Sequence, residues 1–233
     1  MLSREKQKYF EATANRDTRE DLKNAVSLLG DNKVAIDCGC GAGSDIAFLR
    51  SRGFTVHGFD IEEESISRCE ARFENDSQVH LSQSCFSSFN YPRASLVVAD
   101  ASLFFCPESE FNEVWSKIVN SLLPNGVFCG SFLGPEDTMA SPEYNNEAFW
   151  PDVLVFDKHQ VKECFKGFDV VSFTEHKKSG VAPGGGVHDW HIFSVVARKE
   201  SNNCIQPTHF RGVSFVANAT SLTPLQWSAD ARR

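Results

Sequence analysis

A glycine-rich turn between two apolar segments constrains this chain more than any other feature. The apolar run 34–36 has β-branched residues at both ends, as expected of a short strand that is buried on both faces. Gly39, Gly41 and Gly43 follow at alternate positions. Glycine lets a backbone turn sharply and approach a ligand with no Cβ in the way. The segment is therefore predicted to be a strand that ends in a ligand-binding turn.

The residues after the turn extend this unit. Ser44 or Asp45 is predicted to cap a helix whose free N–H groups point back over the glycines. A second strand is predicted over residues 54–59 and ends at Asp60, an acid placed to accept hydrogen bonds from a ribose diol. Residues 33–60 are therefore predicted to form a strand–turn–helix–strand unit that binds a nucleoside.

The residues leave more than one ligand class open. The dinucleotide fingerprint G-x-G-x-x-G needs glycine or alanine at position 44, where this chain has Ser44. Asp37 ends the first strand, and an anion beside the turn suits a cationic ligand better than a pyrophosphate. A nicotinamide oxidoreductase would keep Asp60 for the ribose but is disfavoured by Asp37. A turn that serves packing alone is a third interpretation.

The pattern Asp37-x-Gly39-x-Gly41-x-Gly43 resembles motif I of the class I S-adenosylmethionine-dependent methyltransferases, D/E-x-G-x-G-x-G. The resemblance extends over about residues 5 to 199, and it is greatest to a bacterial small-molecule group that includes tellurite-resistance methyltransferases. It implies an α/β, Rossmann-like methyltransferase fold. The expected sheet is seven-stranded and mostly parallel, with an antiparallel last strand and helices on both faces.

The resemblance also implies a cofactor, S-adenosyl-L-methionine, and the residues that bind it. An acid such as Asp60 binds both ribose hydroxyls in that family, and Ile61 would lie against the adenine face. The family often has an acid after the third strand for the adenine amino group, but this chain has Ser84 and Cys85 there. The full cofactor-binding set implied is Arg19, Asp37, Gly39, Cys40, Gly41, Gly43, Asp60, Ile61, Ser84, Cys85 and Asp100.

Two residues are candidates for catalysis, Asp100 and His191. Asp100 ends the apolar run 95–99, and in open parallel sheets ligands bind beyond the carboxyl ends of the strands. It is either a substrate-facing acid or a polar strand end that bonds to the backbone. If the acceptor is an amine, phenol or thiol, a general base would help. His188 and His191 of the last predicted strand are the other candidates, with solvated histidines as the alternative.

Composition limits the partners. The formal net charge is −8 and the isoelectric point is near 5.4, so a basic surface for nucleic acid is not expected. Neither a signal peptide nor an apolar run of membrane-spanning length is recognisable, which predicts a cytoplasmic protein. The eight cysteines lack paired C-x-x-C spacing, so no metal site is predicted. The expected partner is a small methyl acceptor, and the expected assembly is a monomer or a homodimer.

The chain is predicted to divide into three parts. Residues 1–30 form an N-terminal helical lid or, alternatively, a solvated helix; residues 31–199 form the cofactor-binding domain; residues 200–233 form a flexible tail with a weak strand pattern at 210–216. The aromatic-bearing connection 134–156 is predicted to cover the substrate. Two other functions remain open: an NAD(P)-dependent oxidoreductase, and a non-catalytic module that binds S-adenosylmethionine.

Overall fold

A mixed β-sheet with helices on each side forms the centre of the molecule. The computed structural model describes residues 4–141, 153–181, 186–201 and 214–215. In those ranges the helices are α1 (Arg4–Thr13), α2 (Glu20–Ser27), α3 (Ser44–Ser51), α4 (Glu63–Arg72), α5 (Glu108–Ser121) and α6 (Lys158–Cys164). The strands are β1 (Val34–Cys38), β2 (Thr55–Asp60), β3 (Val79–Gln83), β4 (Ala94–Ala99), β5 (Leu122–Leu133), β6 (Leu154–Val155), β7 (Phe168–Val181), β8 (Val187–Lys199) and β9 (Ser214–Phe215).

The order of the strands confirms the predicted fold class. β3, β2, β1, β4 and β5 lie side by side and are parallel. β8 then pairs antiparallel with β5, and β7 pairs antiparallel with β8. These seven strands are the ones expected from the sequence, and the reversed β8 gives the sheet its antiparallel part.

Two short strands add to the expected seven. β6 pairs with β5 through Leu133 and Val155, past the last β4–β5 pair at Gly130. β9 pairs with β6, so two residues of the segment 200–233 join the sheet, within the stretch 210–216 that has the weak strand pattern. The remainder of the predicted tail, like residues 142–152 of the predicted substrate cover, lies outside the described residues.

Alternating strand residues build an apolar core on each face of the sheet. On one face Ile36, Val97 and Phe128 pack with α5 and α6. On the other face the intervening strand residues pack with α2, α3 and α4. The apolar stripe of α5 is buried as its helical spacing indicates, and Trp115 packs edge-on against Phe128 with ring centroids 5.2 Å apart. Each such side chain contributes roughly 1.5–3 kcal/mol through burial.

Specific contacts set the ends of two elements. α4 begins at Glu63, two residues after Ile61, because the Asp60 carboxylate accepts the backbone N–H of Glu62 and shapes a turn there. β7 continues to Val181 because it stays paired with β8, whose first residue, Val187, is the partner of Val181. Within the described residues, no helix is both long enough and apolar enough to span a membrane.

Close packing between β4 and β5 gives a test of the fold. A Cβ at Gly130 would lie 2.5 Å from the carbonyl oxygen of Ala99 and 2.7 Å from the ring of Phe128. We expect Gly130→Ala to lower the free energy of unfolding by about 1–3 kcal/mol in chemical denaturation, because the backbone of β4 must move. Gly30→Ala is the control, since nothing lies within 4 Å of its added Cβ. Equal stability of the two variants would contradict the β4–β5 packing.

Candidate functional site

The carboxyl ends of the parallel strands bring the predicted acids to one edge of the sheet. Asp37 lies in β1, Asp60 ends β2, and Asp100 directly follows β4. β1 pairs with both β2 and β4, so the three acids belong to adjacent strands. Ser84 follows β3, and its backbone N–H donates to the carbonyl of Asp60 at 2.9 Å. These four residues therefore lie together at the carboxyl ends of the parallel strands, an edge that we call the rim.

The glycine turn is fixed to the end of β2. The backbone N–H groups of Gly39 and Cys40 both donate to the carbonyl of Phe59, at 2.8 and 3.0 Å. The Gly41 N–H donates to Asp60 Oδ2 at 2.9 Å, and Asp60 Oδ1 accepts the Glu62 N–H at 2.9 Å. Burial raises the pKa of Asp60 above its usual value, whereas hydrogen bonds from these two N–H groups and from the Ser65 side chain act in the opposite direction. A carboxylate has about four lone-pair sites, so Asp60 can still accept from a ligand.

Only one of the three glycines leaves space for a ligand. A Cβ at Gly39 would meet Ser102 Cβ at 2.6 Å, and one at Gly43 would meet the Phe73 ring at 2.8 Å. Nothing lies within 4 Å of a Cβ at Gly41, whose φ of +52° is left-handed. Gly39 and Gly43 are thus required by packing inside the protein, whereas Gly41 faces open space. A ligand can therefore approach the backbone at Gly41.

The predicted cap of α3 is wrong. The capping position is occupied by Gly43, and no side chain caps the helix. Ser44 Oγ instead donates to the carbonyl of Arg16 at 3.2 Å. The Asp45 carboxylate accepts from Arg16 Nη2 at 3.0 Å and from Arg19 Nη2 at 3.1 Å. Ser44 thus bonds to the backbone of the segment before α2, and Asp45 bonds to the two guanidinium groups of that segment.

Asp100 joins the same group of charges. Its Oδ2 lies 2.9 Å from Arg19 Nε, without the alignment of a hydrogen bond, and 3.4 Å from Arg16 Nη1. Its Oδ1 accepts from Ser131 Oγ at 3.0 Å. Burial alone would lower the pKa of Arg19, but the Asp100 and Asp45 carboxylates raise it above its usual value. Asp100 is therefore a side-chain partner of the arginines rather than a strand end that bonds to the backbone.

Asp37 is the most deeply buried acid of the site. It is 4% exposed, and within the described residues its Oδ2 has no hydrogen-bond partner. Burial raises its pKa well above the usual range, and Asp45 raises it further, whereas Arg16 and Arg19 act in the opposite direction. A buried oxygen without a donor is a place for a ligand that brings a positive charge or a hydrogen-bond donor.

Side chains from α4 hold the N-terminal segment against the glycine turn. Arg72 Nη1 donates to the carbonyl of Ala14 at 2.7 Å and to the carbonyl of Ala42 at 3.1 Å. The Arg68 guanidinium lies 4.9 Å from the ring centroid of Phe10, a ring that is buried. A single arginine thus bonds to both the predicted lid and the turn.

Ile61 follows β2, and Ser84 and Cys85 follow β3; their contact with adenine stays a prediction. The Ile61 side chain is 52% exposed. Ser84 Oγ shares a hydrogen bond with Ser82 Oγ at 2.6 Å. Burial would raise the pKa of Cys85, but hydrogen bonds with Ser87 and Ser88 lower it below its usual value. The Cys85 sulfur lies 3.3 Å from Ser87 Oγ and 3.1 Å from Ser88 Oγ.

His191 lies in a different hydrogen-bond network. Its Nδ1 accepts the Glu136 N–H at 3.1 Å, so the proton of the neutral ring lies on Nε2, which is 3.0 Å from Glu175 Oε1. The ring is buried, and its backbone N–H donates to Asp137 Oδ2 at 2.9 Å. Asp137 also binds His188 Nε2 at 3.0 Å. These contacts tie the loop after β5 to β8, and a catalytic role for His191 stays a prediction.

Sequence reasoning missed three residues that organise the site: Arg16, Asp45 as an ion-pair partner, and Arg72. Arg16 is three positions before Arg19, in a stretch with no apolar periodicity. The presence of two arginines so close together was the one sequence feature that could have indicated a shared role. Asp45 was interpreted as a cap, and nothing local distinguishes a capping acid from one bound by a remote arginine. Arg72 donates a hydrogen bond to Ala14, which is 58 residues away in the sequence, and no local pattern predicts that contact.

Comparisons with known proteins agree with this site. A family model described as "Methyltransferase domain" matches residues 35–126, which contain every predicted cofactor residue except Arg19. Over 119 residues the chain is 26% identical to the carboxy-S-adenosyl-L-methionine synthase of Haemophilus ducreyi. That match covers 46% of this chain and 49% of the relative, so the chain spans about half the length of that curated protein.

Solved structures show the same fold. TehB from Haemophilus influenzae superimposes with a TM-score of 0.67 at 16% identity, over 84% of this chain and 67% of that one. The 1,6-didemethyltoxoflavin-N1-methyltransferase of Burkholderia thailandensis, solved with S-adenosylhomocysteine, gives a TM-score of 0.53 at 18% identity, over 78% and 79% of the two chains. The chain thus has a match to a methyltransferase domain at residues 35–126, and it shares its fold with solved methyltransferase structures.

Proposed function

We propose that the protein binds S-adenosyl-L-methionine and transfers its methyl group to a small-molecule acceptor. The observation that carries the proposal is the convergence of the turn and the β2 acid: Gly41 donates to Asp60 at 2.9 Å, while the space beyond Gly41 is open. When bound, S-adenosylmethionine supplies an electrophilic methyl group on a sulfonium sulfur. The residues of this chain bind it, orient it and exclude water.

Each part of the cofactor has a partner of matching chemistry. The free lone pairs of Asp60 suit the two ribose hydroxyls, and exposed Ile61 suits an apolar base face. Ser84 and Cys85, with their backbone groups, would hold the edge of the base. Asp37, with Cys40 and the three glycines, would surround the amino-acid end, and Arg19 would meet its carboxylate. Arginine can do so while keeping Asp45 and Asp100, because a guanidinium has five donors.

The catalytic contribution of the chain is mainly positional. Holding the acceptor atom, methyl carbon and sulfur in line and excluding water accounts for many kcal/mol of rate enhancement in reactions of this kind. We assign Asp100 to the acceptor side, where its carboxylate can orient a polar acceptor or take its proton. Since both ring nitrogens of His191 have partners, we propose that its part is to hold the loop after β5 in place.

The remaining proposals concern partners and location. An acidic chain with a net charge of −8 fits a small acceptor better than nucleic acid. One protein of similar structure is a methyltransferase for a small molecule, 1,6-didemethyltoxoflavin, which supports the same acceptor class for this chain. We propose a cytoplasmic protein, monomeric or homodimeric, in which residues 1–30 act as a lid over the cofactor.

The first experiment is a calorimetric titration of the full chain with S-adenosylhomocysteine and, in parallel, with NADH. Micromolar binding of S-adenosylhomocysteine alone is expected, after which small acceptors are screened for methylation. Binding of NADH alone would replace the proposal by an oxidoreductase, since Asp60 suits the ribose of either ligand. Binding of S-adenosylhomocysteine without turnover of any acceptor across a broad panel would favour a non-catalytic module.

The open space at Gly41 predicts a sharp loss of affinity on substitution. Gly41→Asn should weaken S-adenosylhomocysteine binding about tenfold or more, because the new side chain enters the ligand space. Asparagine tolerates the left-handed backbone, so strain contributes little. Gly53→Asn is the matched control: its φ is +83° and its nearest neighbour is a lysine side chain at 3.8 Å. Unchanged affinity in Gly41→Asn would mean that the turn does not touch the cofactor.

The two hydrogen bonds of Arg72 predict its effect on the lid. Arg72→Met should remove about 1–3 kcal/mol of docking energy, so that chymotrypsin cleaves after Phe10 about tenfold faster or more. Cofactor affinity should fall as well, because Arg16 and Arg19 belong to the released segment. In the control Arg93→Met, the lost bond goes to the carbonyl of Asn120, away from the lid. Equal cleavage rates for the two variants would contradict the role of Arg72.

A further inference from the structure

The charges of the rim do not balance among the side chains described. Arg16 and Arg19 supply two positive charges to the network, and Asp37, Asp45 and Asp100 can supply three negative ones, while the Asp60 carboxylate is bound by two backbone N–H groups. The two guanidinium groups make their short contacts with Asp45 and Asp100, at 2.9 to 3.4 Å. Asp37 is therefore the carboxyl group for which the network holds no compensating charge.

The surroundings of Asp37 disfavour its ionised form. Its side chain is buried, and an ionised oxygen that is buried without a donor costs several kcal/mol of solvation. Asp45 at the start of α3 and Asp60 at the end of β2 add two more carboxylates beside it, against which Arg16 and Arg19 act. The next residue in β1 is the buried Cys38, whose thiol pKa is itself raised by burial and therefore contributes no charge.

We propose that Asp37 holds a proton in the ligand-free protein and releases it when a ligand of net positive charge binds. The site would then distinguish the sulfonium donor from the demethylated product by charge. This inference rests on the proposed function, since it takes S-adenosylmethionine as the ligand. It adds a role for Asp37 that goes beyond lining the pocket.

The charge count of the two ligands explains the discrimination. S-adenosylmethionine carries an ammonium, a sulfonium and a carboxylate, so its net charge is one positive. Its net positive charge offsets the negative charge that Asp37 gains when it ionises beside the other carboxylates of the site. S-adenosylhomocysteine lacks the sulfonium charge, so the charge of an ionised Asp37 would stay uncompensated. Asp37 is then expected to keep its proton, and the product is held less tightly than the donor.

The test is calorimetry of the full chain at pH 7 in phosphate and in Tris, whose ionisation enthalpies differ. Binding of S-adenosylmethionine is expected to release about one proton more than binding of S-adenosylhomocysteine. By the same linkage, donor affinity should rise about tenfold per pH unit below the pKa of Asp37. A binding heat of the donor that is independent of buffer, or equal proton release with both ligands, would overturn the inference.

Substitutions assign the proton to its source. Asp37→Asn resembles the protonated acid, so it should bind without the buffer-dependent heat. Asp76→Asn should keep that heat, because Asp76 pairs with Arg50 before β3, at the opposite edge of the sheet. Proton release that persists in Asp37→Asn would refute the assignment. If neither ligand binds to the wild type, the proposed function fails and the inference with it. Binding with no proton release refutes the inference alone.

A second measurement does not depend on any ligand. An acid whose pKa is higher in the folded than in the unfolded chain stabilises the fold at low pH, and that stabilisation is lost as the pH rises toward the folded value. From about pH 4 upward, the ligand-free wild type should therefore lose stability relative to Asp37→Asn, by about tenfold in the unfolding constant per pH unit. Parallel pH profiles of the two proteins would show that Asp37 is ionised before ligand arrives.

Discussion

Two guanidinium groups placed between two carboxylates hold the site together. Arg16 and Arg19 approach from the segment before α2 and contact Asp45 at the start of α3 and Asp100 at the end of β4. The side chains of Asp45 and Asp100 are only 6% and 12% exposed, so solvent and salt screen these pairs less than they screen surface pairs. Removal of one member would leave its partner charged and nearly buried, which is costlier than the net worth of the pair.

The position of Asp100 in turn depends on the sheet. Ser131 in β5 donates to Asp100 Oδ1 and accepts the backbone N–H of Ala101 at 2.8 Å. Ala101 has a φ of 49°, a left-handed value that a non-glycine residue adopts only when its surroundings impose it. The β4–β5 pairing imposes it here. A change in that pairing would therefore move the acid that the arginines bind.

The Asp137 carboxylate organises the loop after β5. Asp137 is buried and accepts hydrogen bonds from the backbone of Met139 and His191, and it contacts the ring of His188. It fixes the loop after β5 to the β7–β8 hairpin. The match to the methyltransferase domain ends at residue 126, near the start of β5. The part of the sheet that Asp137 organises, with β8 and the loop after β5, therefore lies beyond that match.

The sequence was sufficient for the fold and for the residues that follow strands. Asp37, Asp60, Ser84 and Asp100 could be placed on one rim because the carboxyl ends of parallel strands coincide. Contacts between residues far apart in the sequence could not be predicted. Arg16 bonds to Asp100, which is 84 residues away, and to Asp45, which is 29 residues away. The three glycines looked equivalent in the motif, yet only Gly41 faces open space, because Ser102 and Phe73 lie against the other two. Those neighbours are set by tertiary packing, which local patterns do not encode.

The balance of charge at the rim distinguishes between ligand classes independently of the glycine motif. A dinucleotide would bring a pyrophosphate with two negative charges to an edge that already carries Asp37, Asp45 and Asp100. The positive charges of Arg16 and Arg19 are already balanced by two of these acids, so the two charges of a pyrophosphate would have no compensation even though the guanidinium groups keep spare donors. A ligand with an amino-acid end brings one charge of each sign, and the rim offers spare arginine donors for its carboxylate and an unpartnered Asp37 oxygen for its ammonium. Because a sulfonium adds one further positive charge, the methyl donor is the cofactor whose charges this set of side chains matches.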